Sequence, residues 1–291
     1  MSHGLDHAIH AVRDLDAAAE LYRRLGFTVG ARNRHAWGTQ NQNIQLPGFF
    51  LELLTMAEPD KLGNDGFSTY FGRQTQAFLA EREGFSGLLL ESTDMTADAA
   101  AFRATGIAVS DVLSFEREGR RPDGSPTKVG FTIMFAHEPR VPDTLFAICQ
   151  QRYPDNFWNA AFQHHANSVS AIAGAVIVAE NPSDLHIFLT AFTGVRELQA
   201  TSSGVLAPTP RGGLQVMDPS AFEIHFGVKA PDISRGAQLS ALRFAVRDPA
   251  ALRAALDTGA IASFSHMGAT VVPPQAAMGA TLVFTSGLQT P

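Results

Sequence analysis

The run Leu5 to Val12 is apolar apart from polar residues at fixed positions, which is the pattern of a strand. From Leu15 the apolar residues fall instead at 15, 18, 19, 22 and 25, the spacing of one helical face. Asp14 can cap that helix and Gly26 can end it. Phe27-Thr28-Val29, Asn41 to Leu46 and Phe49 to Leu54 then read as three strands, so the unit is βαβββ.

The unit recurs. Arg13-Asp14-Leu15-Asp16 has a close echo in Arg247-Asp248-Pro249-Ala250, and weaker ones in Ser92-Thr93-Asp94 and Glu180-Asn181-Pro182. Each follows an apolar strand and opens a short helix ending near Gly106, Gly194 or Gly259. Strand-like segments follow each helix, including Ile107 to Val112, Thr127 to Ala136, Leu145 to Gln150, Val195 to Leu198 and Phe222 to Val228. Four copies pair into two domains, 1–152 and 168–291, with the break where periodicity is lost between Gln151 and Ser168. Residues 56–83 read as an insertion with a short helix around Phe71, Phe78 and Leu79. The charged stretch Glu116 to Asp123 reads as a solvated hairpin turning at Pro122-Asp123-Gly124.

A chain of 291 residues is long enough for two buried cores, and 45% hydrophobic with 17% charged residues describes an ordinary globular protein. A formal charge of −6 argues against a nucleic-acid partner. The single cysteine, Cys149, excludes an intrachain disulfide and a thiolate-rich metal site. Neither a signal peptide nor a membrane-spanning run is expected, so the location expected is cytoplasmic and the partner a small molecule. The sequence does not fix the oligomeric state, and a homodimer stays open.

Leu5-Asp6-His7, Arg13-Asp14-Leu15-Asp16, Tyr22 and Leu25-Gly26-Phe27 together resemble the vicinal oxygen chelate superfamily of glyoxalase I, extradiol dioxygenases and bleomycin-resistance proteins. Arg34 to Asn41 and Phe50-Leu51-Glu52-Leu53 resemble its glyoxalase-like domain branch more narrowly. The resemblance implies an α+β fold: four βαβββ units paired into two domains, each an open, cup-shaped mixed sheet with helices outside. It does not choose among isomerase, dioxygenase, lyase and non-catalytic binder, all of which use this fold.

Strand alternation tests the motif independently. His7 shares a face with Leu5, Ile9 and Ala11, and Glu52 with Phe50 and Leu54. Ile44 and Leu46 must face the helix, which leaves Asn41, Asn43 and Gln45 on the hollow side with His7 and Glu52. Such a polar lining needs water, a metal or a ligand to satisfy it. The resemblance implies metal ligands at His7 and Glu52, hence a divalent ion (zinc, nickel, iron, manganese or magnesium) able to polarise a carbonyl or bind vicinal oxygens.

Here the chain departs from the superfamily pattern. Gly87, Gly174 and Ala241 stand at the His7 position of the other copies, and none of them binds metal. At the Glu52 position the second copy offers Ile148 or its neighbours Cys149 and Gln150, the third Gln215 and the fourth Val283. The second domain is therefore expected to lack metal chemistry, with Gln150 at best a poor third ligand in the first. Three readings stay open: a metal-dependent glyoxalase-like enzyme, a metal-free acid–base enzyme using His7 and Glu52, and a non-catalytic small-molecule binder.

The remaining candidates divide between chemistry and packing. His35 and Trp37 are expected at the rim of the cup, His10 in the core, and His164 and His165 at the domain junction. His137-Glu138 lacks the second histidine of a zinc-protease motif. Ser125-Pro126-Thr127-Lys128 lies in a hairpin where its chemistry needs a helix. Arg117, Arg120 and Arg121 either reach an anionic substrate or are simply solvated. Cys149 reads as buried filler.

Overall fold

The computed structural model describes residues 2–120 and 125–287. In the first copy β1 (Leu5–Ala11) leads to α1 (Leu15–Arg24), β2 (Asn33–Arg34), β3 (Thr39–Leu46) and β4 (Phe49–Met56), and an insertion closes with α2 (Gln74–Glu81). The second copy holds β5 (Gly84–Glu91), α3 (Met95–Thr105), β6 (Ala108–Val109), β7 (Leu113–Arg120), β8 (Pro126–His137) and β9 (Leu145–Gln151), and α4 (Pro154–Phe157) begins the junction. The third holds β10 (Val169–Val178), α5 (His186–Thr193), β11 (Gln199–Thr201), β12 (Gly204–Pro208) and β13 (Gly213–Met217), followed by α6 (Pro219–Phe226). The fourth holds β14 (Gln238–Val246), α7 (Pro249–Thr258), β15 (Phe264–His266), β16 (Ala269–Val272) and β17 (Thr281–Ser286).

Two mixed sheets result, ordered β2-β3-β4-β1-β5-β9-β8-β6, with β7 also on β8, and β11-β12-β13-β10-β14-β17-β16-β15. In each, the first strands of two copies meet antiparallel at the centre, and each runs parallel to the last strand of its own copy. The convex faces and helices of both halves share one core, in which Phe146 packs on Phe188 and Phe192, and Phe27 on Phe244. At about 1.5–3 kcal/mol for each large side chain removed from water, this shared core makes the two halves one cooperative unit.

Polar ties complete the junction. The His165 ring accepts from the Thr28 amide (3.0 Å) and donates to the Gln45 carbonyl (2.9 Å). His10 bridges the Tyr22 hydroxyl and the Met278 carbonyl, both at 2.9 Å, and burial lowers its pKa to about 4. Gly26 ends α1 with φ +86°, and a Cβ there would stand 2.9 Å from that of Asn167, so the turn needs both its freedom and its small size.

Five expectations are corrected locally. Phe27 to Val29 forms no strand, because the Thr28 amide is taken by His165, and the short β2 lies further on. Of Ile107 to Val112 only Ala108 and Val109 pair, and Val195 to Leu198 gives way to β11 at Gln199. Phe222 to Val228 is not a strand but mostly α6, capped by the Asp218 side chain, with Pro219 at its start and Gly227 (φ +66°) beyond its end. Leu5 does not share the His7 face, because the ladder with β5 slips between Leu5 and His7 and sends Leu5 to the shared core. The turn expected at Pro122 to Gly124 lies outside the described residues.

The two cups are filled differently. Beneath the second sheet, Phe222 and Phe226 of α6 pack with Val176, Val178, Val271 and Val283 and plug the hollow. Over the first, a turn of π-helix at Ser68–Arg73 brings Phe71, with Phe67 just before it, against Trp37. That roof leaves a hollow open beneath it.

Candidate functional site

Ladder register assembles the hollow. β1 lies parallel to β4 with Ile9 beside Glu52 and His7 beside Phe50, and β3 lies antiparallel to β4 with Asn43 beside Glu52. His7, Asn41, Asn43 and Glu52 therefore project into one space, walled mainly by Phe50, Phe67, Phe115, Phe131 and Phe157.

His7 and Glu52 are each only 4% exposed. The His7 ring stacks on Phe50 at 4.2 Å between centroids, and its Nδ1 donates to Asp6 Oδ2 at 2.6 Å. With Nδ1 so engaged, Nε2 presents its lone pair to the hollow, where Glu52 Oε2 stands 4.0 Å away. That gap is too long for a hydrogen bond and short enough for one bound atom to touch both groups. The other Glu52 oxygen accepts from Asn41 Nδ2. Burial raises the Glu52 pKa, against the opposing pull of His7, of Asn41 and of the Arg117 guanidinium, so the carboxyl is biased toward its protonated form.

A stability effect follows from that bias. A carboxyl whose folded pKa lies above its unfolded value binds more protons when folded, so its contribution is full below the unfolded pKa and is lost as pH rises toward the folded one. Glu52→Gln keeps an oxygen for Asn41 and never ionises. Its melting temperature is expected to exceed the wild type's at pH 8, with the gap closing as pH falls to 4. Thermal scans across that range check this, and a variant less stable at pH 8 would contradict it.

The other sequence candidates are placed as follows. His35 accepts or donates at Thr39 Oγ1 (2.8 Å), stacks on Trp37 at 4.6 Å, and is held near pKa 3 by burial and by Arg117. Both rings line the hollow rather than only its rim. Gln45 does not line it. Its amide donates to the Phe157 carbonyl and accepts from the Asn159 amide, fastening the junction segment that carries Phe157. Gln150 lies away from the hollow: its side chain caps the start of α3 through the Met95 amide and the Thr93 carbonyl, and its neighbour Cys149 faces the hollow.

Sequence reasoning missed Asp6, which strict alternation assigns to the opposite face and the slip beside Leu5 brings back to His7. It left Arg117 open between an anionic substrate and solvent, and Arg117 lines the hollow.

Ladder register sharpens the comparison of copies. Leu89 pairs with Ala147 as Ile9 pairs with Glu52, so the Glu52 counterpart in the second copy is Ala147 rather than Ile148. Gly87 is the counterpart of His7, and a Cβ there would stand 2.6 Å from Ile9 Cδ1, so Ile9 occupies the place of a second histidine. Asp6, His7 and Cys149 bring ligand atoms within 4.8 Å of one another, but His7 Nδ1 is already bound to Asp6. The donor set facing the hollow is His7 Nε2 and a Glu52 oxygen, which fits a weakly held divalent ion with water completing its shell.

Among the described residues no helix is long and apolar enough to cross a membrane. No curated protein matches the chain in sequence. Solved structures share its fold at 12% identity. A hypothetical protein from Staphylococcus aureus superposes with a TM-score of 0.71 over 98% of this chain and 100% of its own. A mutant of 4-hydroxymandelate synthase from Streptomyces coelicolor gives 0.57 over 92% and 78%. The Mn(II)-bound glyoxalase from Novosphingobium aromaticivorans gives 0.56 over 99% and 84%. Residues 5–193 match the family model described as a glyoxalase-like domain. With that match across both copies of the first sheet and into the third, the chain belongs to the glyoxalase-like domain family.

Proposed function

We propose that the first cup is the active site of a glyoxalase-like enzyme that moves a proton on a small carbonyl compound. One observation carries this reading: a buried base and a buried acid, His7 Nε2 and Glu52 Oε2, face each other across 4.0 Å in a mostly apolar hollow. His7, its proton fixed on Nδ1 by Asp6, accepts a proton from the carbon beside the carbonyl. Glu52, biased toward the acid by burial, donates its proton to the carbonyl oxygen, so the enol forms without a free enolate. His7 then returns its proton to the former carbonyl carbon while Glu52 recovers one from a hydroxyl on the neighbouring carbon, so an α-hydroxy carbonyl compound is isomerised and both groups are restored. Asn41 holds the Glu52 carboxyl in place throughout. A divalent ion bound by His7 and Glu52 would polarise the same carbonyl.

A turnover screen with α-keto aldehydes, catechols and 2-oxo acids tests the reading, run beside elemental analysis of protein purified without chelator. Turnover lost in His7→Ala supports it, and stoichiometric metal lost in the same variant assigns the ion to this pair. A second reading, non-catalytic binding, draws on the unmatched copy, in which Gly87 and Ala147 supply no groups. Ligands that raise the melting temperature without ever being turned over would favour it.

A further inference from the structure

In the β7–β8 hairpin Phe115 pairs with Phe131 and Arg117 with Val129. Two residues apart on one strand, Phe115 and Arg117 share a face, and both line the first cup. Between them Glu116 turns outward, where Lys128, Arg152 and the Tyr153 hydroxyl share its carboxylate. Arg117 has no such partner and forms no ion pair with any described residue. Glu52 is the acidic group its field reaches, and that carboxyl is committed to Asn41 and faces His7. A half-buried guanidinium that borders a largely aromatic hollow and has no ion-pair partner among the described residues is best met there by something anionic.

Two more polar atoms in the same lining are buried and unpartnered: the Trp37 Nε1–H, a donor, and Asn43 Oδ1, an acceptor. The hollow thus offers a fixed cation, a spare donor and a spare acceptor between the faces and edges of several phenyl rings. Flat aromatic walls favour a flat occupant. One guanidinium matches one carboxylate, and the spare acceptor calls for a hydroxyl.

We propose that the first cup binds a planar aromatic monocarboxylate bearing a hydroxyl group, with its carboxylate on Arg117 and its ring between the phenylalanines. This rests on the first cup being the functional site. It adds the substrate class, which the proton-transfer chemistry alone leaves unspecified.

Calorimetric titration of the intact protein with para-hydroxybenzoate and para-hydroxyphenylacetate, each beside its uncharged amide, tests the proposal. At least one acid is expected to bind ten-fold or more tightly than its amide. Arg117→Gln should erase that preference while leaving the amide's affinity in place, which also shows the pocket intact, and Arg117→Lys should keep part of it. Equal affinity for acid and amide, a preference surviving Arg117→Gln, or no binding of either acid overturns the proposal. Because His7→Ala should retain the acid preference, failure to find turnover would strike the reaction while leaving this assignment standing.

Discussion

His7→Ala is expected to lower turnover by about 100- to 10,000-fold, the range for removing a positioned general base. Glu52→Gln should fall in the same range while remaining folded, since it keeps the acceptor for Asn41 and loses only the transferable proton. Asp6→Asn should cost less, about 10- to 100-fold, because Asp6 touches no reacting atom and acts by fixing the proton on His7 Nδ1. An asparagine amide there can donate to Nδ1 and drive the proton to Nε2, where it blocks the lone pair. The Asp6 variant should therefore lose kcat with little change in KM and shift the pH profile, whereas a merely structural residue would show up only as lost stability. Rates within three-fold of wild type for His7→Ala would remove the imidazole from the chemistry.

The sequence carried the parts of this site that obey period two. His7, Asn41, Asn43 and Glu52 sit on regular stretches of β1, β3 and β4, so alternation alone brings them to one side. It failed wherever the ladder breaks or the side chain has a closer partner. The slip beside Leu5 turns Asp6 toward His7, and no local signal in the sequence marks it. Gln45 has the right parity, but the junction segment lies within reach of its amide and takes it away from the hollow. Gln150 has the wrong parity against Cys149, which exact registration of the second copy on the first would have shown. α6 was legible and was misread: Asp218, Pro219, Phe222, Phe226 and Gly227 make a complete helix signature, obscured by aromatic and β-branched residues that also suit a strand. The repeat itself survived these local failures because each copy carries its own cap, at Asp14, Asp94, Asn181 and Asp248.

The misread helix accounts for the different filling of the two cups. Phe222→Ala should destabilise the protein by about 3–5 kcal/mol, the cost of a large aromatic removed from a packed core. Phe222 is 1% exposed, packs on Phe226 at 5.0 Å, and fills the second cup from below the strands that carry Gly174, Gln215, Ala241 and Val283. The second sheet has thus replaced a polar lining with glycine, glutamine and aliphatic residues and closed the space with phenyl rings. The first has kept the lining and roofed it with Phe67 and Phe71, leaving a small hollow of about 40 Å³ between them. Denaturant unfolding should show the Phe222→Ala loss in full, while turnover per folded molecule at the first cup stays unchanged. Phe67→Ala should do the reverse, costing less stability and more ligand affinity, because that ring borders open space on one side. A Phe222→Ala loss below about 1 kcal/mol would mean that the second hollow is not filled by packing, and its lack of polar groups would then need another cause.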